Sequence, residues 1–130
     1  MQRVLVIDDD PAMTELLKIV LTSYEMDVHI ENDGQSGFDY VQEFEPDIIV
    51  LDLLMPDIDG WSICKRIKQQ FRIPILILSA IDTPVKIAEA LDAGADDYLV
   101  KPVTSSSLIA HIQNLIRRSN GEKSLVKNAD

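Results

Sequence analysis

Val4-Leu5-Val6-Ile7-Asp8-Asp9-Asp10-Pro11 is the stretch that decides the fold. Four consecutive apolar residues, three of them β-branched, read as a strand covered on both faces. A half-exposed strand would alternate apolar with polar residues instead. Three acids follow at the strand's end. Asp10 before Pro11 then signals a helix start, since aspartate caps free amides and proline fits the first turn. Met13, Leu16, Leu17, Val20 and Leu21 come next at i, i+3, i+4, i+7 and i+8. That spacing makes one apolar stripe along an amphipathic helix.

The same unit recurs along the chain. Ile48-Ile49-Val50-Leu51, Ile75-Leu76-Ile77-Leu78 and Tyr98-Leu99-Val100 are further apolar runs. Met26 to Ile30 alternates apolar with polar and suits an edge strand. Tyr40, Val41 and Phe44 mark a second helix, and Trp61, Cys64 and Ile67 a third. Ile87, Ala88 and Leu91 mark a fourth, opened by Thr83-Pro84 and closed by Gly94. Leu108, Ile109, Ile112, Leu115 and Ile116 form the last stripe, behind Thr104 as a cap. Strands alternating with helices imply crossover connections and a parallel sheet. The expected fold is therefore α/β, a doubly wound five-stranded parallel sheet with five helices. It forms one domain over residues 1–119. Residues 120–130 show little periodicity and are expected to be a flexible tail or the start of a linker.

Composition limits the function classes. The 130 residues carry 12 Lys+Arg against 22 Asp+Glu, a formal charge of −10. Such a surface repels phosphates, so this domain is expected to bind neither nucleic acid nor a membrane by itself. With 46% hydrophobic residues the chain can build a core. Cys64 is the one cysteine, which excludes an internal disulfide and reads as a small core residue. No signal peptide or long apolar span is evident, so a cytoplasmic location is expected.

Polar residues follow the apolar runs in a pattern. Asp8 and Asp9 come after the first run, Asp52 after the third strand, Ser79 after the fourth and Lys101 after the fifth. All strand C-termini of a parallel sheet lie along one edge, where ligands bind at the switch of strand order. Clustered carboxylates repel one another unless a cation lies between them, and a hard, water-keeping ion such as Mg²⁺ suits oxygen ligands. A metal, a lysine and a hydroxyl around a nucleophilic carboxylate are the parts of a phosphoryl-transfer site. No glycine-rich phosphate loop is present, which argues against a bound nucleotide. Asp10 is read as a helix cap, Trp61 as a packing residue, and His29 and His111 as unrelated positions.

These residues carry a family likeness. Val4–Asp9, Pro46–Asp52, Met55-Pro56-Asp57-Ile58-Asp59-Gly60, Pro74–Ala80 and Gly94–Pro102 together resemble the receiver domain of two-component response regulators, with its CheY-like fold. The likeness covers about Arg3 to Arg118. It implies that Asp52 accepts a phosphoryl group from a sensor histidine kinase or phosphotransfer protein. It implies that Asp9, Asp52 and the Leu54 backbone carbonyl bind Mg²⁺, with Asp8 acting largely through a bound water. Lys101 would pair with phosphoryl oxygens. Ser79 would swing towards them, and Tyr98 would follow by a rotamer change. Small Ala80 leaves access to the acid, and the Lys101–Pro102 bond is implied to be cis. The switched surface would be the fourth helix, fifth strand and fifth helix, which is also a possible homodimer face. In that dimer's charged network Asp96, Asp97 and Arg118 fit, whereas Ser107 and His111 depart from it.

The resemblance implies a phosphoacceptor switch with intrinsic autophosphorylation and autodephosphorylation, not an enzyme with its own substrate. The chain could equally be the N-terminal receiver of a longer DNA-binding transcriptional regulator. An aspartate-nucleophile phosphatase would need a second Asp two residues after Asp52, where Leu54 stands. A flavin-binding module would need a phosphate loop where the three acids lie.

Overall fold

The computed structural model describes the backbone of residues 1–129 and the side chains of residues 1–121. Strands β1 (Arg3–Ile7), β2 (Asp27–Glu31), β3 (Ile48–Leu51), β4 (Ile75–Ser79) and β5 (Asp97–Val100) alternate with helices α1 (Pro11–Ser23), α2 (Gly34–Phe44), α3 (Gly60–Gln70), α4 (Pro84–Asp92) and α5 (Ser105–Ala129). All strand pairings are parallel, in the order β2-β1-β3-β4-β5. The doubly wound sheet read from the sequence is the fold observed.

Each continuous apolar run feeds two cores at once. Val4, Val6, Ile48, Val50, Leu76 and Leu78 pack with Leu17 and Leu21 of α1 and with Leu108, Ile109, Ile112, Leu115 and Ile116 of α5. Leu5, Ile7, Ile49, Leu51, Ile75 and Ile77 point to the opposite face. They pack with Val41 and Phe44 of α2, Ile63, Cys64 and Ile67 of α3, and Ala90 of α4. Successive strand residues alternate faces, so a sheet sandwiched by helices must be apolar at every position.

Local signals act as read. Asp10 caps α1, accepting from the Ala12 amide at 3.1 Å, with Pro11 in the first turn. Thr104 Oγ1 accepts from the Ser107 amide at the start of α5. Gly94 has φ +115°, the left-handed region that glycine enters without steric cost. Thr83 occupies the cap of α4 without a side-chain bond. The Lys101–Pro102 peptide is cis.

Three local expectations are corrected. On α1, Leu16 is 55% exposed and Thr14 is buried in its stead. The Thr14 hydroxyl donates to the Pro11 carbonyl and accepts from Asn32 Nδ2, so a polar residue enters the core fully bonded. On α4 the stripe Ile87, Ala88, Leu91 does not face inward as a unit: Ala90 is the buried residue and Leu91 is 45% exposed. Beside edge strand β5, helix α4 covers only one margin of the sheet, so a narrow contact line replaces a broad stripe. The edge strand starts one residue later than expected, at Asp27, and does not alternate in and out. His29 on it stacks on Tyr40 with centroids 3.9 Å apart, which half-buries a position read as polar. Helix α5 continues to Ala129 through the stretch expected to be a tail, while the side chains of residues 122–130 and all of Asp130 lie outside the described residues.

Candidate functional site

Strand order turns between β1 and β3, and there the sheet's C-terminal edge opens. Asp8 and Asp9 leave β1 and Asp52 leaves β3. The Asp52 amide donates to the Ile7 carbonyl at 3.0 Å, extending the ladder by one rung and aligning the two exits. Carboxylate oxygens of Asp8, Asp9 and Asp52 all lie within 4.8 Å of one another. Asp8 and Asp52 are buried, whereas Asp9 is exposed. Lys101 reaches in from the end of β5, with Nζ 2.9 Å from Asp8 Oδ2 and 3.3 Å from Asp52 Oδ2. Asp8 Oδ1 accepts from the Asp10 amide at 3.0 Å, and Asp52 Oδ1 from the Leu54 amide at 3.4 Å.

The electrostatics follow from that crowding. Burial disfavours the Lys101 ammonium, but Asp8 and Asp52 outweigh it and hold its pKa above the usual lysine value. For Asp8 burial wins, and its acid is raised despite the lysine bond. With all three carboxylates ionised, one ammonium leaves the cluster two charges negative. The donor set is all oxygen, part buried and part open to water, which fits a hard divalent cation.

Ser79 lies one rung further along the same edge, fully buried at the end of β4. Its hydroxyl accepts from the Ile81 amide at 3.3 Å, and its carbonyl accepts from the Lys101 amide. Tyr98 hangs from β5, its hydroxyl donating to the Ile81 carbonyl at 2.6 Å. Burial, with the Asp52 and Asp82 carboxylates, pushes its phenol up. The fold thus brings Asp8, Asp9 and Asp52 into one cluster with Lys101 bonded to Asp8 and Asp52, and places Ser79 at the end of β4 and Tyr98 on β5 beside it. Among the described residues, Ser79 makes no hydrogen bond to Asp52. Leu54 is 55% exposed beside the acid.

Two contributors were missed in the sequence. Asn32 Nδ2 donates to the Asp8 carbonyl at 2.9 Å and so holds the β1 exit from the end of β2. The rule applied to four strand ends would have found it at the fifth. Gly60 is the other. A Cβ there would lie 2.5 Å from Leu53 Cα and 2.6 Å from the Asp52 carbonyl oxygen.

The loop after Asp52 is tied down by Asp57, whose carboxylate accepts from the Gly34 and Gln35 amides at 3.1 Å each. Slight burial raises its pKa, but these amides and that of Ile58 outweigh it, and the acid sits below its usual value. A depressed native pKa contributes stability above the unfolded value near ~3.9 and loses it as pH falls through the native one. Asp57→Ala is therefore expected to lower the urea midpoint at pH 7, with the gap to the parent closing towards pH 3. A gap that is constant with pH would contradict the ionic tie.

The sequence profile described as the response regulator receiver domain matches residues 4–113. The chain belongs to this family. Similar proteins include protein RcaC of Microchaete diplosiphon, 41% identical over 119 residues. That match takes in 91% of this chain but 18% of RcaC. The DNA-binding response regulator MtrA of Mycolicibacterium smegmatis is 36% identical over 121 residues, covering 93% of this chain and 53% of MtrA. This chain therefore spans about half or less of these relatives. Among solved structures, the BeF3-activated N-terminal receiver domain of Klebsiella pneumoniae RstA superposes with a TM-score of 0.87 at 28% identity, covering 89% of this chain and 99% of that one. The receiver's five parallel strands and five helices match that architecture. Among the described residues no helix is long and apolar enough to cross a membrane.

Proposed function

We propose that this receiver is a phosphoacceptor switch, taking a phosphoryl group from a sensor histidine kinase or phosphotransfer protein onto Asp52. The observation that carries the reading is the Lys101 ammonium reaching both Asp8 and Asp52 within a cluster of three carboxylates. Asp52 is the candidate nucleophile: it is buried at a strand end, while its Oδ2 faces a cation and its Oδ1 a backbone amide. Its oxygen would bond to phosphorus as the P–N bond of the donor breaks, and the imidazole would leave with a proton. Lys101 would then neutralise phosphoryl oxygens. Asp8, Asp9, Asp52 and the Leu54 carbonyl would hold Mg²⁺, which when bound supplies further charge neutralisation. The added group brings about two negative charges and strong acceptors. Ser79 ends β4 and Tyr98 lies on β5 beside the cluster, where such a change would bias α4, β5 and α5. Incubation with Mg²⁺ and acetyl phosphate should add one hydroxylamine-labile phosphoryl mass. An unmodified chain would refute the reading.

The same site makes metal binding visible as stability. A cation that binds only the native cluster stabilises by mass action, about 2.7 kcal/mol at a hundredfold excess over Kd. For a domain of this size Tm should rise by roughly 10 °C. Calorimetry with and without MgCl2 checks this, and an unchanged Tm would count against the site.

Leu54 and Ile81 flank the acid as apolar groups that would screen attacking water and prolong the phosphorylated state. Leu54→Asn introduces a group able to orient that water, and one net hydrogen bond is worth about 1 kcal/mol. Phosphate loss should quicken by roughly fivefold, measured from the decay of the adduct. An unchanged half-life would contradict the screening.

The relative MtrA is named a DNA-binding response regulator, which favours a second, compatible reading of this receiver as part of a longer DNA-binding regulator. Domains over residues 1–119, a linker role for 120–130 and a cytoplasmic location belong to the same proposal. A homodimer through α4, β5 and α5 is proposed with an altered charge set. Asp97 Oδ2 accepts from His111 Nδ1 at 2.6 Å within the chain, and Asp96 is bound to Lys68 and the Ile75 amide. Sedimentation before and after phosphorylation tests the dimer.

A further inference from the structure

Helix α4 is lightly anchored. One of its nine residues, Ala90, is buried, and Val85 and Leu91 face solvent. Among the described residues, a single side chain from another element hydrogen-bonds its backbone. The Trp61 indole N–H donates to the Lys86 carbonyl at 3.3 Å. A helical carbonyl has a second lone pair free for such a donor. Lys86 also places Nζ 5.4 Å from the indole centroid, a cation over the aromatic ring that attracts cations best.

Trp61 is not only a packing residue on the α2–α3 side of the core. It is the second residue of α3, and the first is Gly60. The Gly60 amide donates to the Leu53 carbonyl at 2.9 Å, and its Cα lies against the Asp52 carbonyl with no space for a Cβ. Asp52, Leu53, Gly60, Trp61 and the first turn of α4 thus form one unbroken line of contacts. It runs apart from the Ser79–Tyr98 side of the site.

We infer that Trp61 is a positioning residue that clamps the first turn of α4 to the start of α3 and transmits backbone movement at Asp52 to α4. The clamp itself is a property of the unmodified protein, while the transmission rests on Asp52 being the phosphoacceptor. Phenylalanine keeps an aromatic ring and a weaker cation contact but has no donor, so Trp61→Phe removes the hydrogen bond while leaving an aromatic group at the position. At 3.3 Å the bond is at the long end of the N–H···O range, a weak tie that suits reversible release.

Two measurements test this on the full chain. Amide hydrogen exchange of residues 84–92 in the unphosphorylated state should quicken roughly fivefold in Trp61→Phe, with α1 unchanged. Trp61 is the one tryptophan, so its indole N–H gives a single resonance that reads the tie in the parent without any substitution. That resonance should shift as the phosphoryl adduct, weighed in the same sample, accumulates with Mg²⁺ and acetyl phosphate, and should stay fixed in Asp52→Asn. Unchanged α4 exchange, or an indole N–H that exchanges as fast as a free one, overturns the clamp. An adduct that forms without moving the resonance overturns the transmission. If no adduct forms in the parent, the phosphoacceptor reading fails, and the exchange data alone decide the clamp.

Discussion

Asp52→Asn is expected to abolish the phosphoryl adduct formed with Mg²⁺ and acetyl phosphate, while leaving the fold intact. The amide is isosteric but is not a nucleophile, and the neighbouring acids are poor substitutes. Asp8 is engaged by Lys101 and the Asp10 amide, and Asp9 is exposed on the rim. The same substitution removes one of three mutually repelling carboxylates. The metal-free variant should therefore melt no lower than the parent, and its gain on adding Mg²⁺ should shrink, since a ligand is lost. Intact mass and calorimetry read both effects from one preparation. A full-stoichiometry adduct on the variant would move the acceptor elsewhere. A large drop in metal-free Tm would mean that Asp52 is chiefly a structural partner of Lys101.

Gly60→Ala should be the most damaging single methyl in the molecule. The new Cβ would meet Leu53 Cα at 2.5 Å and the Asp52 carbonyl oxygen at 2.6 Å. Both obstacles are backbone, so no rotamer change relieves them and the β3–α3 loop or α3 itself must shift. Overpacking of this kind costs about 3 kcal/mol, and the movement falls on the residue that would carry the phosphoryl group. Urea unfolding should show that loss, with a slower adduct reaction in whatever remains folded. Gly121→Ala supplies the contrast: nothing lies within 4 Å of its Cβ, and alanine favours a helix by roughly 0.5–1 kcal/mol. A Gly60→Ala protein within about 0.5 kcal/mol of the parent would contradict the close approach.

Much of the site was legible because its residues sit at strand ends, and a parallel sheet puts all those ends on one edge. Asp8, Asp9, Asp52 and Lys101 could be grouped from that rule although Lys101 is 93 positions from Asp8. Asn32 escaped because β2, with His29 and Glu31, mixes polar with apolar residues, so a polar residue just past its end does not stand out as one does after an apolar run. Gly60 escaped because its demand is steric, a carbonyl and a Cα brought close by the loop, and a sequence does not display distances. The α4 stripe misled because periodicity reports where apolar residues lie on a helix, not how much sheet lies beneath it. Leu91 is apolar but overhangs the edge, whereas small Ala90 fits the narrow contact.

The chain's order of residues alone determined the β–α alternation, the two-faced burial of β1, β3 and β4, and the common edge on which the acids and the lysine meet. Those are local or topological matters, dictated by period, caps and the direction of a parallel strand. Only the tertiary structure decided that Lys101 bridges Asp8 to Asp52, that Asp96 and Asp97 are occupied within the chain, and that Trp61 ties α3 to α4. Each depends on side chains from separate elements arriving within about 3 Å of one another, and that is set by packing rather than by spacing along the chain.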